Sequence, residues 1–400
     1  MSRARENYQN NLPEKSKQPS INTAIPHVKP AAGVNGSQNF PPQYFSGSQL
    51  LNLYNIPSVT ASVSRKVKIA IIIAYSYPKL KSDLAIYWKN DINFGPNSTP
   101  PTINIYTMPG AKYNANWALE ECLDVQMVCS VNPNATIWVV EAASDNISDL
   151  MTALKYATDT LRVDVVSMSW GCDDVQDTVP FNTNFANPYV CYCASTGDFS
   201  TVSWPSVHSN CVAVGGTTLI WTPNSKPTRK EYAWYDAGCG YSSTFTQPAF
   251  QLNIPNIKHD FRCIPDISMI SNTKTSVYTV FNGTWYGVGG TSLATPIFAG
   301  ILSIANQMRF NKNKGPLTTV TNSTPLVNHL QTYLYKTIYP NSENYAAAFY
   351  DVVSGVNRGS VGGTASLIST IEYPAGRKFD IATGLGSPNA ASLCNQLLKI

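Results

Sequence analysis

The chain has 400 residues, a net charge of +4, 43% apolar residues and only 13% charged ones. That length suits one large α/β domain or two medium ones, and so small a charge argues against nucleic acid as a partner. No apolar run reaches the roughly 18 residues of a membrane-spanning helix, so no membrane association is expected.

Residues 1–40 are rich in Asn, Gln, Ser, Pro and Lys and lack apolar periodicity, which reads as a disordered polar tail before a folded region over 41–400. Met1-Ser-Arg-Ala-Arg opens the chain without an apolar h-region, so no secretory signal peptide is expected. The setting this suggests is intracellular or packaged in a particle. A short helix is expected over Tyr44–Tyr54, and the run Val67–Ala74 (VKIAIIIA) reads as a central strand buried on both faces. Ser82–Trp88 reads as helical. Over Asn116–Val131, Trp117, Leu123, Asp124 and Met127 recur at helical spacing, with Asn116 as a cap and Asn132-Pro-Asn as the stop. The neighbours Trp117, Leu119 and Leu123 predict a half-buried helix. Strands are expected at Ala135–Val140, Val163–Ser169, Tyr189–Ser195 and Val212–Gly215, with a helix over Ile147–Thr160. This alternation predicts a mostly parallel sheet covered by helices on both faces.

Residues 222–282 read as loop-rich, 313–326 as a polar surface loop, and 345–390 as a series of Gly- and Asp-containing turns. Thr291–Gln307 reads as an apolar helix entered from Gly289-Gly290, with Ser292 in its first turn. Nine cysteines are scattered without a CxxC pair, which disfavours zinc and predicts mostly reduced, buried thiols.

Glycines before a serine at a helix start let the backbone turn sharply, and the helix N-terminus favours developing negative charge. An ordinary N-cap explains the same pattern. A nucleophilic serine also needs a base, and the four histidines, His27, His208, His259 and His329, have no context that suggests one. Glu120 and Asp124 are spaced i and i+4, so they share one helix face. Buried together they would share a proton, with one pKa raised, which suits acid–base work at low pH. On spacing alone, two solvated carboxylates with a lysine nearby are the reading to prefer. Glu121 is spaced i+3 from Asp124 and is expected to point elsewhere. Asp198 follows a predicted strand, where ligand sites gather in parallel sheets, although turn aspartates are common after glycine.

Together these segments resemble the sedolisins, serine-carboxyl peptidases with a subtilisin-like fold. Leu119-Glu-Glu-Cys-Leu-Asp124, Val166-Ser-Met-Ser-Trp-Gly171, Ser195-Thr-Gly-Asp198, Arg262-Cys-Ile-Pro-Asp-Ile-Ser268 and Gly290-Thr-Ser-Leu-Ala-Thr-Pro296 match the family's segments in order. The resemblance spans about Pro42 to Pro388. It implies a subtilisin-like three-layer α/β catalytic domain over 41–400. Ser292 would be the nucleophile, Glu120 the general base, Asp124 its partner, and Asp198 a protonated donor to the oxyanion. It also implies protein or peptide substrates, an acidic optimum and an endopeptidase, with tripeptidyl release open; a monomer is expected.

Tyr350-Asp-Val-Val-Ser-Gly355 and Ala375–Pro388 resemble the family's calcium site. The resemblance implies one structural Ca²⁺ held by Asp351 and Asp380 side chains and by carbonyls at Val352, Gly376 and Lys378, where the family usually has Gly at the last position. No prodomain of the family's kind is expected before residue 41. That departure keeps open a catalytically inactive, protease-fold binding or structural protein. A non-peptidase serine hydrolase is the other alternative, but no GxSxG elbow surrounds Ser292.

Overall fold

A computed structural model describes residues 23–26, 29–34, 44–60, 65–90, 93–220, 229–320, 328–361 and 371–400. Its centre is an eight-stranded sheet. In spatial order the strands are Lys230–Ala233, Cys211–Ile220, Cys191–Ser195, Val165–Met168, Lys68–Ala74, Thr136–Ala142 and Ile103–Thr107, with Ile267–Ile270 also paired to Cys211–Ile220. All pairings are parallel except that of Lys230–Ala233, which closes the edge antiparallel. The mostly parallel α/β sheet expected from the alternating pattern is therefore present. Ile69 to Ile73 are wholly buried in its middle, as a continuous β-branched run requires.

Two helices pack together against the sheet, Ala115–Val131 and Thr291–Phe310. Every residue from Trp117 to Val131 is buried, so the half-buried helix expected from its apolar residues is a core helix instead. Of its polar residues, Gln126 and Ser130 tolerate burial because partners meet them. Gln126 donates to the Val280 carbonyl at 2.8 Å and accepts from the Val280 N–H at 2.9 Å. The cap is Asn114, not Asn116: its side chain accepts from the N–H groups of Asn116 and Trp117. Gly300 brings the helices close, since a β-carbon there would lie 2.6 Å from a Val131 methyl.

The stretch 229–282, expected to be loops, holds the strands Lys230–Ala233, Gly240–Thr246, Phe261–Ile264, Ile267–Ile270 and Val277–Phe281. Short strands separated by Gly, Ser and Asn turns carry too little periodicity to stand out locally. The tail read over 1–40 lies largely outside the described residues. Within it, Ile25–Pro26 and Lys29–Val34 are strands paired with distant parts of the chain. The surface loop read over 313–326 also lies partly outside them. All nine cysteines are unpaired and buried, in line with the reduced thiols expected. Among the described residues no helix is long and apolar enough to cross a membrane.

Candidate active site

The carboxyl ends of the parallel strands bring the candidate residues together. The strand Thr284–Gly289 turns at Gly290, with φ 114°, into the helix that carries Ser292 in its first turn. Glycine enters that left-handed region without a β-carbon clash. The Ser292 hydroxyl has two acceptors in reach, Glu120 Oε2 at 2.9 Å and the Ser169 carbonyl at 3.1 Å. Asp124 lies one turn beyond Glu120 and accepts from the Ser169 hydroxyl at 2.7 Å. Ser292, Glu120 and Asp124 all have 0% exposure.

Asp198 approaches from the loop after Cys191–Ser195. Its Oδ1 accepts from the Thr291 N–H at 2.8 Å and the Thr291 hydroxyl at 2.9 Å, while Thr291 Oγ1 accepts from the Gly197 N–H at 3.1 Å. Asp198 is thus docked at the helix start, one residue from the serine. Sequence reading quoted the segment around Ser169 without giving that residue a role. The structure makes it the link between Asp124 and Ser292, and a serine directly after a buried strand was the available signal.

Electrostatics follow from burial. Glu120 is pushed well above the ordinary carboxylate range, first by desolvation and then by the charge of Asp124. Burial also pushes Asp124 well up. One proton shared by such a pair leaves a single negative charge. Glu121 points elsewhere, as its spacing suggested. Burial, followed by the Glu141 charge, raises its pKa well above normal. Glu141 is itself anchored by the Tyr77 N–H at 3.0 Å and by the Thr107 hydroxyl.

The histidines described stand apart from this group. His208 packs on Phe185 and Phe245, His259 on Tyr241 and His329 on Phe250. His27 lies outside the described residues.

These shifts predict how stability responds to pH. A carboxyl with a raised folded pKa contributes stability that is full below its unfolded value, about 4, and is lost as pH rises through the folded value. Glu120, Glu121 and Asp124 behave this way. So does Asp380, which burial raises to about 7. His208 runs the other way: burial, then Arg262, lower it to about 3. Its contribution is full above about pH 6.5 and lost as pH falls toward its folded value. His329, also lowered by burial, adds to the same side. Carboxyls outnumber histidines between these limits, so the expected melting temperature peaks near about pH 4 and falls toward neutrality. Calorimetry from acid to neutral pH checks this; a maximum at or above neutrality would mean that the buried carboxyls are ionised.

The residues matched to a calcium site lie in the C-terminal part. Both Asp351 oxygens accept from the Lys378 N–H, at 2.9 and 3.0 Å, and Tyr345 donates to Oδ1 at 3.0 Å. Asp380 accepts from the Gly376 N–H at 3.1 Å and the Thr383 N–H at 2.8 Å. Both carboxylates therefore converge on the turn 376–380. Val352 is buried, and Lys378 has φ 62° in the left-handed region usual for glycine. Among the described residues no three His, Cys, Asp or Glu side chains cluster as a metal site. A cation here would thus rest on two carboxylates and carbonyl oxygens, a donor set suited to a hard ion.

The model of the subtilase family matches residues 110–359. Tripeptidyl-peptidase 1 of Dictyostelium discoideum is 25% identical over 72% of this chain and 49% of its own length. Sedolisin of Pseudomonas sp. (strain 101) is 30% identical over 49% of the chain and 30% of its own length. Kumamolisin of Bacillus sp. (strain MN-32) is 26% identical over 69% of the chain and 50% of its own. The chain spans about half the length, or less, of these curated relatives. In structure it is similar to Pseudomonas sedolisin complexed with pseudo-iodotyrostatin, at a TM-score of 0.69 and 21% identity over 88% of this chain and 97% of that one. The resemblance to the sedolisins and the subtilisin-like fold it implied are both borne out.

Proposed function

Because the chain belongs to the subtilase family, we propose that it is a serine-carboxyl peptidase, cutting peptide bonds through an acyl-enzyme in acid. The observation that carries this reading is the Ser292 hydroxyl 2.9 Å from Glu120, within the buried Glu120–Asp124 pair. Ser292 Oγ attacks the scissile carbonyl carbon as its proton passes to Glu120. Asp124 shares the load on Glu120 and is itself oriented by Ser169. Glu120 then returns the proton to the amine as the C–N bond breaks, leaving an ester on Ser292. Water attacks the ester with the same proton exchange, releasing the acid product and restoring the serine.

Asp198 serves the oxyanion in this reading. An ionised carboxylate would repel that oxygen, so this reading requires Asp198 to act as a neutral acid that donates its proton. The substrates proposed are proteins and peptides, cut internally. An acidic compartment or particle is the setting such chemistry fits. Hydrolysis of a denatured protein should rise from neutral toward acid pH, with internal fragments in the products. A rate climbing steadily to about pH 8 would overturn the carboxylate mechanism. Release of tripeptides alone would overturn the endopeptidase mode.

One structural Ca²⁺ at Asp351 and Asp380, with carbonyls of Val352, Gly376 and Lys378, belongs to the same proposal. Bound there, the ion would neutralise the two carboxylates and tie the turn 376–380 to the segment after Tyr350. Calcium at about 100 times its Kd should stabilise the fold by about 2.7 kcal/mol, seen as a saturable rise in melting temperature. Asp351→Asn should remove that rise. A melting temperature indifferent to calcium sinks the site.

A further inference from the structure

The amino ends of the parallel strands carry a cavity of about 630 Å³, a volume usual for a small-molecule site. It lies away from Ser292. Asp164, in its wall, directly precedes the strand Val165–Met168, and Ser169, which meets Ser292, directly follows that strand. Five residues of extended chain separate the two by about 16 Å.

Two rare backbone features meet at this cavity. The helix Ile147–Lys155 runs into a π-helical turn over Tyr156–Thr160, which supplies the lining residues Thr158 and Asp159. Such turns are uncommon and gather at functional sites. Two residues further, Arg162 has φ 54°, in the left-handed region where glycine is the usual residue after a helix. An arginine there strains the backbone and brings a guanidinium to the cavity wall.

The charges around the cavity do not cancel. Asp164 is taken up by Arg65 at 2.5 Å and by the Lys68 N–H at 2.9 Å. Asp159 is taken up by Lys155 at 2.8 Å. Arg162 has no ion-pair partner among the described residues, so it is the lining charge left over. The second guanidinium, that of Arg65, is fixed in direction by Asp164 and by the Phe310 ring, 3.8 Å from its carbon. A fixed fork of N–H groups suits a phosphate or a carboxylate.

An apolar surface adjoins these cations. Tyr189 is 68% exposed and lines the cavity with Val163 and Pro316. Its loop is held in place, since the Tyr189 N–H donates to Asn187 Oδ1 at 3.1 Å and Asn187 Nδ2 donates to the Thr158 carbonyl at 3.3 Å. The same asparagine thus ties the tyrosine to the π-helical turn.

We propose that this cavity binds a small organic anion. Arg162 and the Arg65 N–H groups that Asp164 does not use hold its phosphate or carboxylate, and Tyr189, Val163 and Pro316 cover its planar apolar body. Nothing in this assignment depends on the peptidase reading.

Three probes separate the parts of the ligand. Phenyl phosphate and benzoate share a planar body and differ in the anion, while inorganic phosphate lacks the body. Each is titrated by calorimetry into the full chain, and into chains carrying Arg162→Gln or Tyr189→Ala, both exposed positions where folding should be unaffected. Phenyl phosphate or benzoate should bind saturably with a Kd below about 1 mM, and the tighter of the two identifies the anion. Arg162→Gln should weaken that binding at least about tenfold. Tyr189→Ala should weaken it at least about threefold and leave inorganic phosphate unchanged. No saturable binding of either aromatic probe by about 10 mM overturns the proposal, and so does equal binding by the unaltered and Arg162→Gln chains. Inorganic phosphate binding as tightly as both aromatic probes overturns the role given to Tyr189.

Discussion

Ser292→Ala should lower kcat/KM for peptide hydrolysis by a factor of about 10⁵ to 10⁶, or about 7–8 kcal/mol of transition-state stabilisation. In the proposed mechanism the hydroxyl forms the ester, and its bond to the acyl carbon exists only beyond the ground state. KM should therefore change little. Glu120→Gln should cost nearly as much, since an amide 2.9 Å from the hydroxyl cannot take its proton. The double variant should be no worse than either single one, because residues acting as a unit are not additive. Single-turnover assays under acid conditions check all three. A Glu120→Gln chain that keeps wild-type rates would remove the carboxylate from the role of base. Folding should suffer only modestly in Ser292→Ala, by about 1–2 kcal/mol for a buried acceptor left without its donor.

Asp266→Ala is expected to be the most damaging change to stability away from the candidate site. Arg262 and Asp266 are both at 0% exposure, joined through two bonds of 2.9 and 2.5 Å. The same carboxylate accepts from Tyr335 at 2.8 Å and from the Ala213 N–H at 2.9 Å, which ties it to the strand Cys211–Ile220. Removing it leaves a guanidinium buried without its counter-charge, together with two orphaned donors. Breaking a buried pair in this way costs about 3–5 kcal/mol. The urea midpoint should move down by a corresponding amount with the slope unchanged. A shift under about 1 kcal/mol would mean that water reaches the pair.

Much of the architecture could be read from local pattern. Ile69–Ala74 had no plausible fate other than a central strand, and the alternation around it implied the parallel sheet. The proximity of Ser292, Glu120, Asp124 and Asp198 was legible for a different reason. Short segments in a fixed order matched a known arrangement, while spacing alone left Glu120 and Asp124 ambiguous with solvated residues. Ser169 was not legible as a linker, because a serine after a buried strand most often only packs. The burial of Glu121, Gln126 and Ser130 was hidden too, since their partners, Glu141, Val280 and Tyr87, lie far away in sequence. Strand pairing of Ile25–Pro26 and Lys29–Val34 depends wholly on such remote partners. Their own composition, polar and proline-containing, reads as unstructured.

The nine cysteines, all shielded and none bridged, give the molecule a built-in reporter. Burial raises the thiols of Cys122, Cys193, Cys211 and Cys239 well above the usual range, so they carry almost no thiolate while the fold is closed. An added alkylating reagent can then modify only those molecules that have opened. Because the cysteines are spread over the central helix, the sheet and the C-terminal segment, the order in which they become alkylated would chart which regions come apart first, without any engineered probe.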